Sequence, residues 1–347
     1  MLSMAPDTPS APTASRRAPL LLIVLTFLIT PLFGCDELTR EAHWADETDP
    51  SLEAGKADSG FLAAQEAQTL IAPVFDPVLC AYDREDPYEP GARFSKGPWI
   101  GECLDTEKRR PVHVLSAPSE KSANLELANV FHDGGFWYAD IPTDAVYEVY
   151  FQLEYFPAVV PAGHTQIRIE FLEPVTLTGH SSWNLGRVTS TYNLVISAEA
   201  VPRVGDSYDL IKGMQDHFGL VYRVTTLAAR YESMIIEQDH HVEQWRLQMT
   251  EEEKAELLVF YAYESEALGL EETYHTLFRN CTNELVRNID GVVQYTAGEH
   301  IKKFLTKGTE FYPNIIRAAL IARGLLPLDQ STDWYPLEED PTFPEGE

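Results

Sequence analysis

Basic residues are scarce in this chain: 26 Lys and Arg stand against 54 Asp and Glu, a formal charge of -28 over 347 residues. That balance excludes nucleic acid as the expected partner, because neutralising phosphates takes a Lys/Arg surface. Long apolar runs are lacking as well. The stretch Ala18 to Phe33 is too short for a comfortable membrane-spanning helix. Also absent are the HExxH and CxxC spacings of metal sites, a phosphate-binding loop, a dinucleotide fingerprint and a serine elbow. Gly55-Lys56 lacks the upstream glycine of a phosphate loop. The pair His240-His241 points its rings apart on a strand or a helix, so no metal and no cofactor is expected. What remains is ordinary globular composition, 44% hydrophobic and 23% charged, enough for one or two domains.

The acidity is uneven. Asp36 to Gly60 holds eight acids and two bases, and Leu328 to Glu347 holds seven acids and no base. Both read as solvated tails rather than an acidic binding face. Ahead of the first lies Arg16-Arg17, then the apolar run, then Leu32-Phe33-Gly34-Cys35. A basic segment, a short apolar core and a small residue before cysteine form the pattern of a bacterial lipoprotein signal. The expectation is therefore a lipid on Cys35, a bilayer as the first partner, and an envelope location facing the periplasm. An uncleaved signal anchor is the alternative.

An oxidising compartment leaves three cysteines to place. Cys80 and Cys103 lie 23 positions apart in a Pro/Gly-rich region, and their pairing is the economical one. Pairing of either with Cys281 stays open. A leftover thiol in an exported protein is either chemically active or an inert buried hydrophobe.

The chain divides into a signal (1-35), an acidic tether (36-60), a region of uncertain form (61-144), a main domain (145-325) and an acidic tail (326-347). Within 61-144 the readable pieces are a short helix near Phe61 to Ile71 and the strand-like Pro111 to Leu115. From Ala145 onward, Val146 to Leu153 predicts a strand. In His164 to Phe171, alternation sets Thr165, Ile167, Ile169 and Phe171 on one face and His164, Gln166, Arg168 and Glu170 on a polar face. Further strands are expected over Glu173 to Thr178 and Thr191 to Ala198. Thr250 with Glu253 forms a capping box for a helix over about 251 to 267. Asn280 caps the next, with Cys281, Leu285 and Ile289 on one side. Pro313 and Gly324 bracket a last helix with Ile316, Ala319 and Leu320 inward. Strands lead and helices trail, which is an α+β order, a small antiparallel sheet packed on C-terminal helices.

Cys281 falls at the first turn of a helix, where free N–H groups and the dipole favour a thiolate. His164, opening the polar face of a strand, is the expected base, and His180 the expected orienter of its ring. The amides of Cys281 and Thr282 are expected to hold an oxyanion.

The run Tyr274-His275-Thr276-Leu277-Phe278-Arg279-Asn280-Cys281-Thr282-Asn283 resembles the Tyr…Asn-Cys-Thr/Ser element of the Lnb N-terminal periplasmic domain family. Gly163-His164-Thr165-Gln166-Ile167-Arg168 resembles its Gly-His-Thr-x-Leu-Arg strand, and Lys212 to Tyr222 its middle element. Trp245-Arg246-Leu247 before Thr250 resembles its aromatic-x-Leu segment. The family in turn resembles permuted papain-like thiol enzymes of the NlpC and lecithin retinol acyltransferase type, in which a strand His precedes a helix Cys. The resemblance implies that fold, a His164–Cys281 pair, and a hydrolase or acyltransferase acting on a peptidoglycan peptide or a lipid acyl group. One departure stands out: His240-His241 occupies the place of an Arg-Asp pair. The rival expectation is a non-catalytic lipoprotein that binds or matures a protein partner on the same scaffold.

Overall fold

The computed structural model describes residues 74–119, 122–156, 163–309, 313–328 and 334–337, all in the compact unit that runs from Ala67 to Glu347. The signal, the tether, the helix near Phe61 and most of the tail lie outside them. Among the described residues the fold is α+β, with ten strands joined in one sheet and six α-helices.

The sheet is larger than the small one the sequence suggests, because five of its strands close on themselves. These are β2 (Asn124–His132), β3 (Gly135–Pro142), β5 (Gly163–Gly179), β6 (Val188–Val201) and β7 (Phe218–Thr226). The ring runs β2-β7-β6-β5-β3 and back to β2, antiparallel throughout except the short parallel contact of β2 with β7. β2 and β3 precede residue 145, so the barrel begins upstream of the boundary expected there. Their hairpin turns on Asp133 and Gly134, both at positive φ, the geometry of a two-residue type I′ connection.

β5 serves two neighbours in succession. Its first half pairs with β4 (Val146–Tyr155), and its last residues pair with β3. Between them the register with β6 shifts, at Glu170 to Val175, where Leu172, Glu173 and Pro174 turn to solvent. Proline has no N–H for the ladder, so the bulge falls where the strand must change partners. The two strands expected over His164 to Phe171 and Glu173 to Thr178 are therefore one bent strand. From β4 the sheet continues into β8 (His241–Arg246) and β10 (Trp334–Pro336); β1 (His113–Ser116) flanks β2 and β9 (Thr273–Tyr274) flanks β7.

Six helices complete the fold: α1 (Leu210–Gly213), α2 (Leu227–Tyr231), α3 (Glu251–Leu268), α4 (Cys281–Val292), α5 (Ala297–Thr306) and α6 (Ile316–Ala322). Thr250 and Glu253 exchange hydrogen bonds at the start of α3, as their spacing predicts. Leu257, Leu258 and Tyr261 of α3 and Leu285, Val286 and Ile289 of α4 join Ile167, Ile169, Ile196 and Leu220 in the main core. Ile316, Ala319 and Leu320 of α6 are buried in it too.

Residues 74–112 carry little regular structure and are held by cross-links. Cys80 and Cys103 form a disulfide with Cα atoms 5.3 Å apart, leaving Cys281 as a free, buried thiol. Replacing both by serine frees a 23-residue separation, so chemical denaturation of the double variant should show a loss of about 2–4 kcal/mol. An unchanged denaturation midpoint would mean that the salt bridges of this segment suffice alone.

Candidate active site

Cys281 is the first residue of α4, and Asn280 fixes it there. The Asn280 Oδ1 accepts from the amides of Thr282 (2.9 Å) and Asn283 (3.1 Å), its own amide donates to Asn283 Oδ1 (2.8 Å), and its Nδ2 donates to the Thr276 carbonyl (2.6 Å). The cap that places the thiol also occupies the Thr282 amide, so the oxyanion role expected of that amide is corrected. The Thr282 side chain points instead to β5, its Oγ1 3.2 Å from that of Thr165 and 3.8 Å from the Cys281 sulfur.

The sulfur is enclosed, with Cys281 only 4% exposed. Burial alone disfavours a thiolate, but the imidazole of His164, together with the amide and hydroxyl of Thr165, outweighs it and brings the thiol down to about 7. Reciprocally, burial acts against charge on His164, and the facing thiolate overrides it, so the imidazole is raised. His164 Nε2 is buried and makes no hydrogen bond. Tyr274 completes the enclosure. Burial and the adjacent thiolate hold its phenol well above the usual range, so it stays protonated beside the sulfur and the Cys281 amide. Tyr208, half-exposed, covers Tyr274 and donates or accepts at Thr276 Oγ1 (3.1 Å).

His180 is not part of this group. It follows the last residue of β5, whereas His164 is the second, and the bulge at Glu170 to Val175 lies between them. Its Nδ1 lies 3.5 Å from Asp86 Oδ1, and its ring packs against Tyr88 and Tyr138 beside the buried Arg110–Asp86 pair. The orienting role expected of it is therefore corrected: strand length separates it from the thiol.

The structure supplies carboxylates where the sequence suggested a histidine. Glu154 of β4 is the direct cross-strand partner of His164. Continuing the β5–β6 register from Ile167↔Ile196 places Glu199 opposite His164 on the other side. Arg230 of α2 bridges the two acids, 3.3 Å from Glu154 Oε2 and 3.8 Å from Glu199 Oε1. Glu199 also meets Arg109 (3.1 Å) and Arg223 (3.3 Å). Burial works against its charge, yet these guanidiniums and His164 hold it well below the usual carboxylate range. Glu154 contacts His240, whose Nδ1 is 2.6 Å from Oε1. The departure at His240 thus sits within this network.

The polar face predicted for β5 is real, but it is buried rather than solvated. Gln166 accepts from Arg230 Nε (2.9 Å) and donates to Gln152 (2.7 Å), which donates to Gln244 (3.0 Å); Arg168 donates to Asn193 (2.8 Å). These buried side chains satisfy one another, which is how a strand with charge on one face can be central. The sequence signal for one missed member is the single acid of β6, Glu199; Glu154 shares β4 with Glu148 and Gln152 and has no comparable signal.

The comparison with known proteins agrees with these motifs. No curated protein and no solved structure matches the chain. The Lnb N-terminal periplasmic domain matches residues 136–312, more than half of the chain and the whole span from β3 to α5, with His164 and Cys281 inside it. The periplasm-facing side of the envelope is accordingly its location, and the chain belongs to the Lnb N-terminal periplasmic domain family.

Proposed function

We propose that the domain is a thiol hydrolase or acyltransferase acting on an amide or ester of the envelope, with a permuted papain-like arrangement and a lipid anchor at Cys35. The observation that carries this reading is the placement of an enclosed thiol at the capped start of α4 beside the buried, unpartnered Nε2 of His164, a setting that lowers the thiol and raises the imidazole. The Cys281 thiolate attacks the carbonyl carbon, and the electron pair moves to oxygen, where the protonated phenol of Tyr274 donates to it. The imidazolium of His164 gives its proton to the departing nitrogen or oxygen as that bond breaks, leaving a thioester. His164 then takes a proton from water or an acceptor hydroxyl, which displaces the thiolate. Glu154 and Glu199 favour the charged ring by their position beside it.

The experiment is acylation by p-nitrophenyl acetate followed by intact mass. The expected result is an acetyl adduct on Cys281, absent in Cys281→Ser, with nitrophenolate released in a burst. Acetylation confined to lysines, with Cys281 unmodified, overturns the enzyme reading. It would favour the second one, a binding scaffold, for which the enclosure of the sulfur speaks.

A further inference from the structure

α5 is amphipathic in the reverse sense to a core-packing helix. Two of its polar residues, Glu299 and Lys303, face the protein, whereas His300 and Lys302 are exposed. Lys303 Nζ lies 3.0 Å from Asp290 Oδ2 and 4.9 Å over the Tyr295 ring, and Glu299 binds the amide and hydroxyl of Thr296 at the cap (2.8 Å each). Its apolar residues face outward: Ile301, Phe304 and Leu305, at i, i+3 and i+4, are 64%, 77% and 75% exposed. No residue of the helix is buried. In water this stripe gains nothing from being displayed, and it exceeds the scattered single apolar residues of an ordinary surface.

The charge around it selects the cover. From Ala297 to Lys307 there are three lysines and one glutamate, in a chain of net charge -28. Lys302 and Lys307 are exposed beside the stripe. A groove of about 780 Å³ runs alongside, lined by Phe260 and Phe304; its wall carries Arg287, Lys303 and Lys307 against Glu264, Glu284 and Asp290, so the groove itself is close to neutral and the positive edge belongs to the helix. Aromatic and aliphatic residues bordered by lysines match the boundary between acyl chains and anionic headgroups, where such helices lie in the plane of the bilayer. A second copy fits less well, since it would set lysines against lysines.

We infer that α5 is a membrane-contact helix that seats this domain on an anionic phospholipid surface through Ile301, Phe304 and Leu305. This inference stands apart from the proposed chemistry at Cys281, and it is distinct from any anchor at Cys35, which would hold the chain near a bilayer without orienting it.

The test places p-benzoylphenylalanine at Leu305 in the full chain, bound to vesicles of phosphatidylethanolamine and phosphatidylglycerol that carry an alkyne-tagged lipid. A matched protein carries the probe at Leu185, 73% exposed in the turn between β5 and β6 at the far end of β5 from His164. Irradiation should tag Leu305 with lipid at least tenfold more than Leu185. Lys302→Glu with Lys307→Glu should lower that capture by about thirtyfold or more, the equivalent of about 1 kcal/mol for each of the two lysines at an anionic surface. Equal tagging at both positions overturns the proposal, because tethering alone would explain it. An adduct of twice the chain mass overturns it in favour of self-association, and an adduct with another protein, when the experiment is repeated in cells, in favour of a protein partner.

Discussion

Replacing His164 by Ala should slow alkylation of Cys281 by iodoacetamide about fiftyfold at pH 7. In the wild type the thiol sits at about 7, half ionised at neutral pH. Its depression from the ordinary value of 9.0 depends on His164 and Thr165 against a burial effect of opposite sign. Without the imidazole, burial meets only the hydrogen bonds from Thr165, and the thiolate fraction at pH 7 falls toward about 1% or below. The sign fixes the pH dependence. A lowered thiol is anionic above about 7, and a raised imidazole keeps its charge to higher pH than a free one, so each shift favours the ion pair. The wild-type rate should therefore rise with a midpoint near 7, and the His164→Ala rate only at higher pH. Identical profiles would show that the ring does not govern the sulfur, and the proposed mechanism would lose its base.

The elements of this site differ in how legible they are from sequence. Cys281 is readable because its position is set locally: Asn280, Thr282 and Asn283 define a helix start by short-range hydrogen bonds. His164 is readable from the alternation of β5, which is also local. The surroundings of His164 are set by which strands lie beside β5, and nothing in residues 163–179 specifies them. The same limit explains the failure of His180. A polar residue at the end of the same strand looks near in sequence order, but a 17-residue strand carries it away from the thiol. Glu154 and Glu199 are separated from His164 by 10 and 35 positions, and only the pairings β4–β5 and β5–β6 bring them to its flanks. Barrel closure was hidden for a related reason: β2 and β3 follow an irregular, disulfide-bonded stretch, and their ring is completed only by the single parallel bridge Phe131↔Thr225, a long-range pairing that no local pattern encodes. The His240 position, a departure from the family pattern, gains meaning only through its contact with Glu154.

Glu199→Gln should produce the largest loss of stability of any single change near the site, about 3–5 kcal/mol at pH 7, measured by urea denaturation. The carboxylate is buried among Arg109, Arg223 and Arg230. Removing its charge leaves three guanidiniums facing one another, with Arg223 enclosed. The pH dependence follows from the direction of its shift. A carboxylate held well below its usual range contributes fully above the unfolded value near 4.5 and loses that contribution as the solution is acidified. The gap between wild type and variant should thus be constant from pH 7 to about 5 and shrink below. A purely structural role would end there, whereas a positioning role reaches the sulfur. With Glu199 neutral, Arg230 opposes the His164 charge with less compensation, the imidazolium becomes less favourable, and the alkylation midpoint of Cys281 should move above 7. Asp86→Asn provides the contrast, since it breaks the buried Arg110 pair beside His180, far from the thiol. It should destabilise the fold while leaving the alkylation midpoint in place. Should both variants leave that midpoint at 7, Glu199 would hold the barrel together without tuning His164.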